Sequence, residues 1–294
     1  MTSNHARIDR NVLVAASHHH PALDPVVQTF LDRCGEGQAV DGLLHDDRHT
    51  DCDVFRPRGD GARTVPVIVY VHAGSSEDRA EALQSIADRS GAAVLPVAIE
   101  PDAGPAASER RVNERLASLA SATPCLIDPS RLTFAGDGLG ALSALACAGG
   151  PPGAGSRASL LVLITPVFGP PAGGFGTHRM NETAADACAR SGLTLTGPVG
   201  WPADRSRDWL RRLPPILLLT AEIDPFRDGA EHFARRMMAT EHEISAHRSL
   251  GMIHDFSWLP PLVHARGALD AQRLVASAVR EAFYFATNPD ARTC

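Results

Sequence analysis

The stretch AGDGLGALSA, residues 135–144, puts Gly136, Gly138 and Gly140 at alternate positions between an apolar run and the start of a helix. That spacing belongs to the nucleophile elbow G-x-S-x-G, a strand–turn–helix whose tight turn lifts the central side chain into a cleft. Here the central residue is Gly138, which has no side chain. Two later segments hold the groups that work with such an elbow. In LPPILLLTAEIDPFRD, Asp224 sits just past an apolar run, and in GMIHDF, His254 sits in a loop ahead of the C-terminal helix. With elbow, acid and histidine in that chain order, a carboxylate can fix the imidazole tautomer and stabilise the imidazolium.

Other hydroxyls and thiols are poor substitutes for the missing nucleophile, because attack requires reach of about 3 Å to the base. Cys147 lies nine residues down the helix, about 13.5 Å along its axis, and Ser143 lies five down, about 7.5 Å. Ser75 and Ser76, in a loop after an earlier apolar run, could face the same cleft. Asp224 could be a mere turn residue before Pro225, but its place after a strand, with His254 downstream, favours the catalytic reading. Asp228, three residues before Glu231, reads as a helix N-cap with a capping-box partner. The tract His18-His19-His20 reads as polar chain, and no metal site is expected. Asp255 adds a carboxylate beside His254 that is either solvated or raises the pKa of the imidazole.

Composition excludes several chemistries. The chain has 294 residues, 44% apolar and 21% charged, which suits a soluble enzyme built on one large α/β domain. All 28 basic residues are arginine, so no Schiff-base lysine, pyridoxal linkage or P-loop lysine is possible. A net charge of −6 and the lack of a basic run argue against a nucleic-acid or anionic-membrane partner. The six cysteines form no C-x-x-C pair, which favours free thiols in a reducing compartment over a disulfide framework or a zinc site. The longest apolar runs, LLVLI and ILLL, are too short to span a bilayer, and the first 20 residues lack a signal-peptide core. A cytoplasmic protein without a cofactor is the expectation.

The elements that must position these groups alternate. VPVIVYV (65–71), AAVLPV (92–97), LTFA (132–135), SLLVLI (159–164) and ILLLT (216–220) read as buried strands of a parallel sheet, and CDVFRP as one more strand. Helical patterns fall at 23–33, 77–89, 106–121, 139–148, 229–240 and 268–285. The first has Asp24 to cap it, Pro25 in its first turn, and Leu23, Val26, Val27, Phe30 and Leu31 on one face. The last stacks Leu274, Ala278 and Ala282 beside Val275, Val279 and Phe283. Strand–helix alternation implies a mostly parallel, doubly wound sheet. The stretch 165–212, rich in Gly, Pro, Thr and Arg, breaks the rhythm and reads as an insertion above the sheet edge.

Five segments in this order resemble the hormone-sensitive-lipase-like esterases of the α/β-hydrolase superfamily. LDPVVQTFLDR is similar to that family's N-terminal cap helix, VFRPRGDGARTVPVIVYVHAG to its strand and H-G-G-G oxyanion loop, and IDPSRLTFAGDGLGA to its G-D-S-A-G-G elbow. LPPILLLTAEIDPFRDGAEHFARRM resembles its acid segment and GMIHDF its H-G-F histidine segment. The resemblance implies Asp224 as acid, His254 as base, and oxyanion donors at the backbone N–H groups of Gly74, Ser75 and Leu139. It also implies a structural role for His72 in the oxyanion loop. This sequence departs from the family at the nucleophile, Gly138. It departs again at the loop His72-Ala73-Gly74-Ser75, at Asp255 where the family has glycine, and at AIEPDAG in place of a Tyr-Arg-Leu segment.

The expected fold is therefore an α/β-hydrolase fold with a small helical cap: residues 1–50 as an N-terminal cap segment, 51–164 and 213–294 as the core, and 165–212 as a cap insertion. Loss of a serine nucleophile costs on the order of 10⁶ in turnover. What an Asp224–His254 dyad facing an oxyanion hole can still do is move a proton next to a carbonyl. The leading expectation is a serine-less enzyme catalysing elimination, isomerisation or cyclisation of a small carbonyl- or ester-bearing substrate. The family includes dehydratases and cyclases that no longer hydrolyse esters, and such roles often belong to specialised metabolism. The alternatives are a non-catalytic small-molecule binder, as in hormone receptors of this fold, and slow ester hydrolysis by a histidine-activated water. A homodimer is compatible with all three.

Overall fold

In the structure, a computed structural model, residues 22–35, 54–59, 63–100, 105–122, 127–150, 158–168 and 205–285 are described. The elements run α1 (Pro25–Gly35), β1 (Val65–Ala73), α2 (Ala80–Ser90), β2 (Ala93–Ile99), α3 (Pro105–Ala122), β3 (Ile127–Asp137) and α4 (Gly138–Gly149). They continue with β4 (Ala158–Ile164), the single turn α5 (Arg207–Leu210), β5 (Ile216–Ile223), α6 (Arg227–Ala239), β6 (Ile244–Ile253) and α7 (Arg266–Arg280). A π-helical turn, Glu281–Phe285, extends α7.

The six strands pair in the order β2-β1-β3-β4-β5-β6, every pair parallel. Parallel neighbours need crossover connections, and helices on both faces supply them. The apolar runs accordingly fill two cores, one on each face. Along β1, Ile68 and Tyr70 enter the core shared with α2 and α7, while Val67, Val69 and Val71 enter the core shared with α3, α4 and α6. The α7 stripe docks as its periodicity predicts: Val275, Val279 and Phe283 are buried, and Leu274, Ala278 and Ala282 pack at their margin.

Helix α1 is held at both levels. The Asp24 carboxylate accepts the Val26 N–H at 2.8 Å, capping the helix, and the Asp24 N–H donates to the Gly251 carbonyl of β6 at 3.0 Å. Gly251 has φ +70°, and a Cβ there would come within 2.7 Å of the Asp24 nitrogen, so the docking requires glycine. Val27 and Phe30 are buried as expected, but Val26 is 46% exposed, since the helix turns it about 100° from Val27.

Three expectations are corrected. Of CDVFRP, Phe55 forms only an isolated antiparallel bridge to Val94. Strand β6 (Ile244–Ile253) is additional, an edge strand whose first half is largely exposed. Asp228 is the second residue of α6 and not its N-cap; it pairs with Arg227, while Glu231 pairs with Arg248 and Arg235. Residues 169–204 of the expected insertion and the His18-His19-His20 tract lie outside the described residues. No helix among the described residues is long and apolar enough to cross a membrane.

Candidate active site

Five strands end one residue before a residue of the site. Gly74 follows β1, Gly138 follows β3, Thr165 follows β4, Asp224 follows β5 and His254 follows β6. The carboxyl edge of a parallel sheet is where such folds gather functional groups, and the register explains who meets whom. Ile223 pairs with Ile253, which brings Asp224 beside His254; Asp137 pairs with Ile164, which brings Gly138 beside Thr165.

The Asp224 carboxylate meets His254 Nδ1 at 2.9 Å through Oδ2, and its Oδ1 accepts the Phe226 N–H at 2.8 Å. Both side chains are buried, and the Phe226 ring packs edge-on against the imidazole with centroids 5.4 Å apart. Burial alone would lower the pKa of His254, but the Asp224 and Asp255 charges outweigh it and raise it from 6.5 to about 9. The imidazolium is therefore the resting form at neutral pH.

Nε2 of that imidazole points to Gly138. A Cβ added there would lie 3.7 Å from His254 Nε2 and 3.7 Å from Asp255 Oδ1, in ordinary van der Waals contact. The flanking glycines are different. A Cβ on Gly136 would sit 2.7 Å from the Gly140 carbonyl oxygen, and one on Gly140 would overlap the Val71 carbonyl. Those two glycines let α4 cross β1 and β3 at close range.

Asp255 resolves the alternatives left by the sequence: its Oδ1 stands 3.5 Å from His254 Nε2 and accepts the Thr165 hydroxyl at 3.3 Å. Asp255 has φ +62° and Thr165 has φ +39°. The left-handed region is costly for a β-branched residue, of order 1–3 kcal/mol, and such strain concentrates at functional sites.

A buried cluster absent from the sequence reading fixes the surroundings. Arg79 Nε and Nη2 meet the two oxygens of Asp137 at 2.7 and 3.2 Å, Nη1 donates to the Ser75 carbonyl at 2.9 Å, and the guanidinium stacks 3.6 Å over the Trp258 ring. Tyr70 donates its hydroxyl to Asp137 at 2.9 Å, and burial together with Asp137 keeps the phenol protonated. Burial pushes the Asp137 carboxyl up, and Arg79 opposes that shift. One arginine thus ties together the turn after β1, the residue before Gly138 and the loop after His254.

Among the expected oxyanion residues, Gly74 keeps a glycine conformation at φ +83°. Ser75 accepts the Glu77 N–H through its hydroxyl, and Ser76 is hydrogen-bonded to His72 Nε2 at 2.8 Å, which gives His72 its place in the loop. Leu139, in the first turn of α4 where backbone N–H groups lack intrahelical acceptors, packs with Val167 and Phe226 beside the histidine. Among the described residues no serine hydroxyl hydrogen-bonds His254. Cys147 packs in the α4 core, where burial pushes its thiol up to about 12. No group of three or more His, Cys, Asp or Glu among the described residues is arranged to hold a metal ion.

A family model described as alpha/beta hydrolase fold matches residues 69–258, which include Gly138, Asp224 and His254. No curated protein sequence matches. The chain is similar in structure to one of two esterases from the fungus Rhizomucor miehei (18% identity, TM-score 0.73, covering 92% of this chain and 100% of that one). It is similar also to a thermostable esterase from Pseudomonas putida (20% identity, TM-score 0.71, 90% and 98%). Carboxyl esterase 2 from the mycorrhizal fungus Tuber melanosporum has the same fold (19% identity, TM-score 0.71, 89% and 100%).

Proposed function

The chain belongs to the α/β-hydrolase fold family, and on that premise we propose that it is an enzyme whose nucleophile serine has been replaced by Gly138 and whose Asp224–His254 dyad transfers protons. The substrate is a small molecule bearing a carbonyl or ester group, turned over by elimination, isomerisation or cyclisation without an acyl-enzyme. One observation carries the reading: the hydrogen-bonded dyad aims Nε2 at a residue that has no side chain. Asp224 holds the imidazole from the Nδ1 side and stabilises its charge. Backbone N–H groups of Gly74, Ser75 and Leu139 are the candidate donors to the carbonyl oxygen. Because the resting histidine is an imidazolium, its first act at neutral pH is to give a proton, and it becomes a base once it has done so. Direct hydrolysis is the second reading, favoured by the absence of a side chain between Gly138 and His254 Nε2, where a water could be activated, and by structural relatives that are esterases.

Ethyl levulinate in D₂O tests both readings in one NMR tube, because it carries a ketone with exchangeable α-protons and an ester. The expected outcome is deuterium incorporation by the native protein that disappears in His254→Ala, with the ester intact. Histidine-dependent ester cleavage would shift the conclusion to hydrolysis. Equal, background rates in both proteins would leave a binding protein.

A further inference from the structure

Three unusual positions converge on one point. Gly138 leaves space, Asp255 at φ +62° directs its carboxylate to the edge of that space, and Thr165 at φ +39° holds Asp255 Oδ1 by its hydroxyl. Thr165 and Asp255 come from different strands, 90 residues apart in the chain, yet the two left-handed residues meet. The two carboxylates on the imidazole also differ in access: the Asp224 side chain is 1% exposed and that of Asp255 is 22% exposed. Only Asp255 can meet a substrate.

Resting on the proton-transfer reading above, we infer that Asp255 is a catalytic residue: its carboxylate, beside the space at Gly138, takes the proton from the carbon next to the substrate carbonyl while His254 donates. The Cα–H bond breaks, its proton going to Oδ1 of Asp255 and its electron pair into a new carbon–carbon double bond. In an elimination, the bond from the β-carbon to its hydroxyl breaks and the hydroxyl leaves as water with the Nε2 proton of His254. In an isomerisation, that proton goes to the carbonyl oxygen instead. The proton on Asp255 then passes across the 3.5 Å to Nε2 and resets the site after an elimination. The substrates that fit are β-hydroxy carbonyl compounds and enolisable ketones. The charges around the pair support this division of labour. Asp224 faces Nδ1, Asp255 faces Nε2, Asp137 lies behind the elbow with Arg79 and Tyr70, and the apolar Phe226 ring closes the remaining side. An imidazole so surrounded is charged at neutral pH and is not free to accept a proton.

Asp255→Asn and Asp255→Gly test the assignment, since both residue types accept a left-handed backbone and the fold is retained. With ethyl levulinate as the probe, deuterium exchange is expected to fall about 10²–10⁴-fold in both variants. Added sodium formate should restore exchange in Asp255→Gly, where the space is open, and fail in Asp255→Asn. Independently of any substrate, the NMR titration midpoint of His254 should drop by about one unit or more in both variants. Exchange at the native rate in both overturns the assignment, and if His254→Ala still abolishes exchange, the dyad reading stands without it. Lost exchange with neither formate rescue nor a moved titration marks a packing role and also overturns it. If native exchange does not exceed that of His254→Ala, the proton-transfer reading itself fails and takes this assignment with it.

Discussion

The pair β5–β6 and the pair β3–β4 both end one residue short of the site, but they deliver different things. From β5–β6 come Asp224 and His254, joined by a buried 2.9 Å hydrogen bond, and Asp255 at φ +62° directly after the histidine. From β3–β4 come a glycine without a side chain and a threonine in a left-handed conformation. The first pair supplies the arrangement in which a carboxylate orients an imidazole; the second places no side chain at Gly138 and supplies a left-handed support for Asp255. Strain is retained only where surrounding packing enforces it, and here the two left-handed residues, Thr165 after β4 and Asp255 after β6, meet on the Nε2 side of the imidazole. The difference teaches that order in the site is not confined to the Asp224–His254 pair: the Nε2 side is also held in a specific conformation, by the Thr165–Asp255 hydrogen bond.

Placing a hydroxyl at position 138 is the strongest way to break that comparison. Gly138→Ser combined with Asp255→Gly should raise p-nitrophenyl acetate hydrolysis about 10³-fold over the native protein, short of the roughly 10⁶-fold a serine nucleophile is worth. Gly138→Ser alone should gain much less, because Asp255 competes for Nε2; equal gains in the two variants would mean that Asp255 is passive. Arg79→Ala removes the tie between the two sides. It leaves Asp137 buried without its cation and should destabilise the protein by about 3–5 kcal/mol in urea titrations. A smaller loss would show the two sides to be held independently.

A pH series isolates the β5–β6 side. His254 has its pKa raised on folding from 6.5 to about 9, so protonation favours the native state. Its contribution, about 3 kcal/mol, is complete below pH 6.5 and is lost as the pH rises through about 9. Thermal melts from pH 6 to 10 should show that decline in the native protein and a flatter profile in His254→Ala. The smallest effect concerns α1. Gly251→Ala should cost about 1–2 kcal/mol through its left-handed backbone and the crowded Asp24 nitrogen. It should also speed proteolysis near residues 22–35 while leaving the His254 titration in place.

Sequence and structure agree where a residue's role is announced by its own neighbours. The α7 stripe follows a 3.6-residue period and docks accordingly, and Asp24 and Pro25 mark the start of α1 by capping chemistry. Asp224 is legible because it follows an apolar strand directly, and His254 because GMIHDF resembles a known histidine segment and sits ahead of the C-terminal helix. Strand β6 escapes such reading since its first half carries exposed polar residues, His247 and Arg248 among them, and it is held by pairing to β5 more than by burial. The Arg79–Asp137 pair joins residues 58 apart, and an ion pair leaves no periodic trace. Nor does any local rule foretell a left-handed threonine whose partner lies across the sheet.

The three elbow glycines differ in how far they are free to vary. Positions 136 and 140 are closed by backbone atoms, whereas position 138 opens onto side chains that can move. Saturation mutagenesis across the three should therefore return its folded variants chiefly at 138, and there, at φ +47°, mainly as residues that accept a left-handed backbone such as Asn and Asp. Any nucleophile within reach of Nε2 from the elbow has to enter through that single codon.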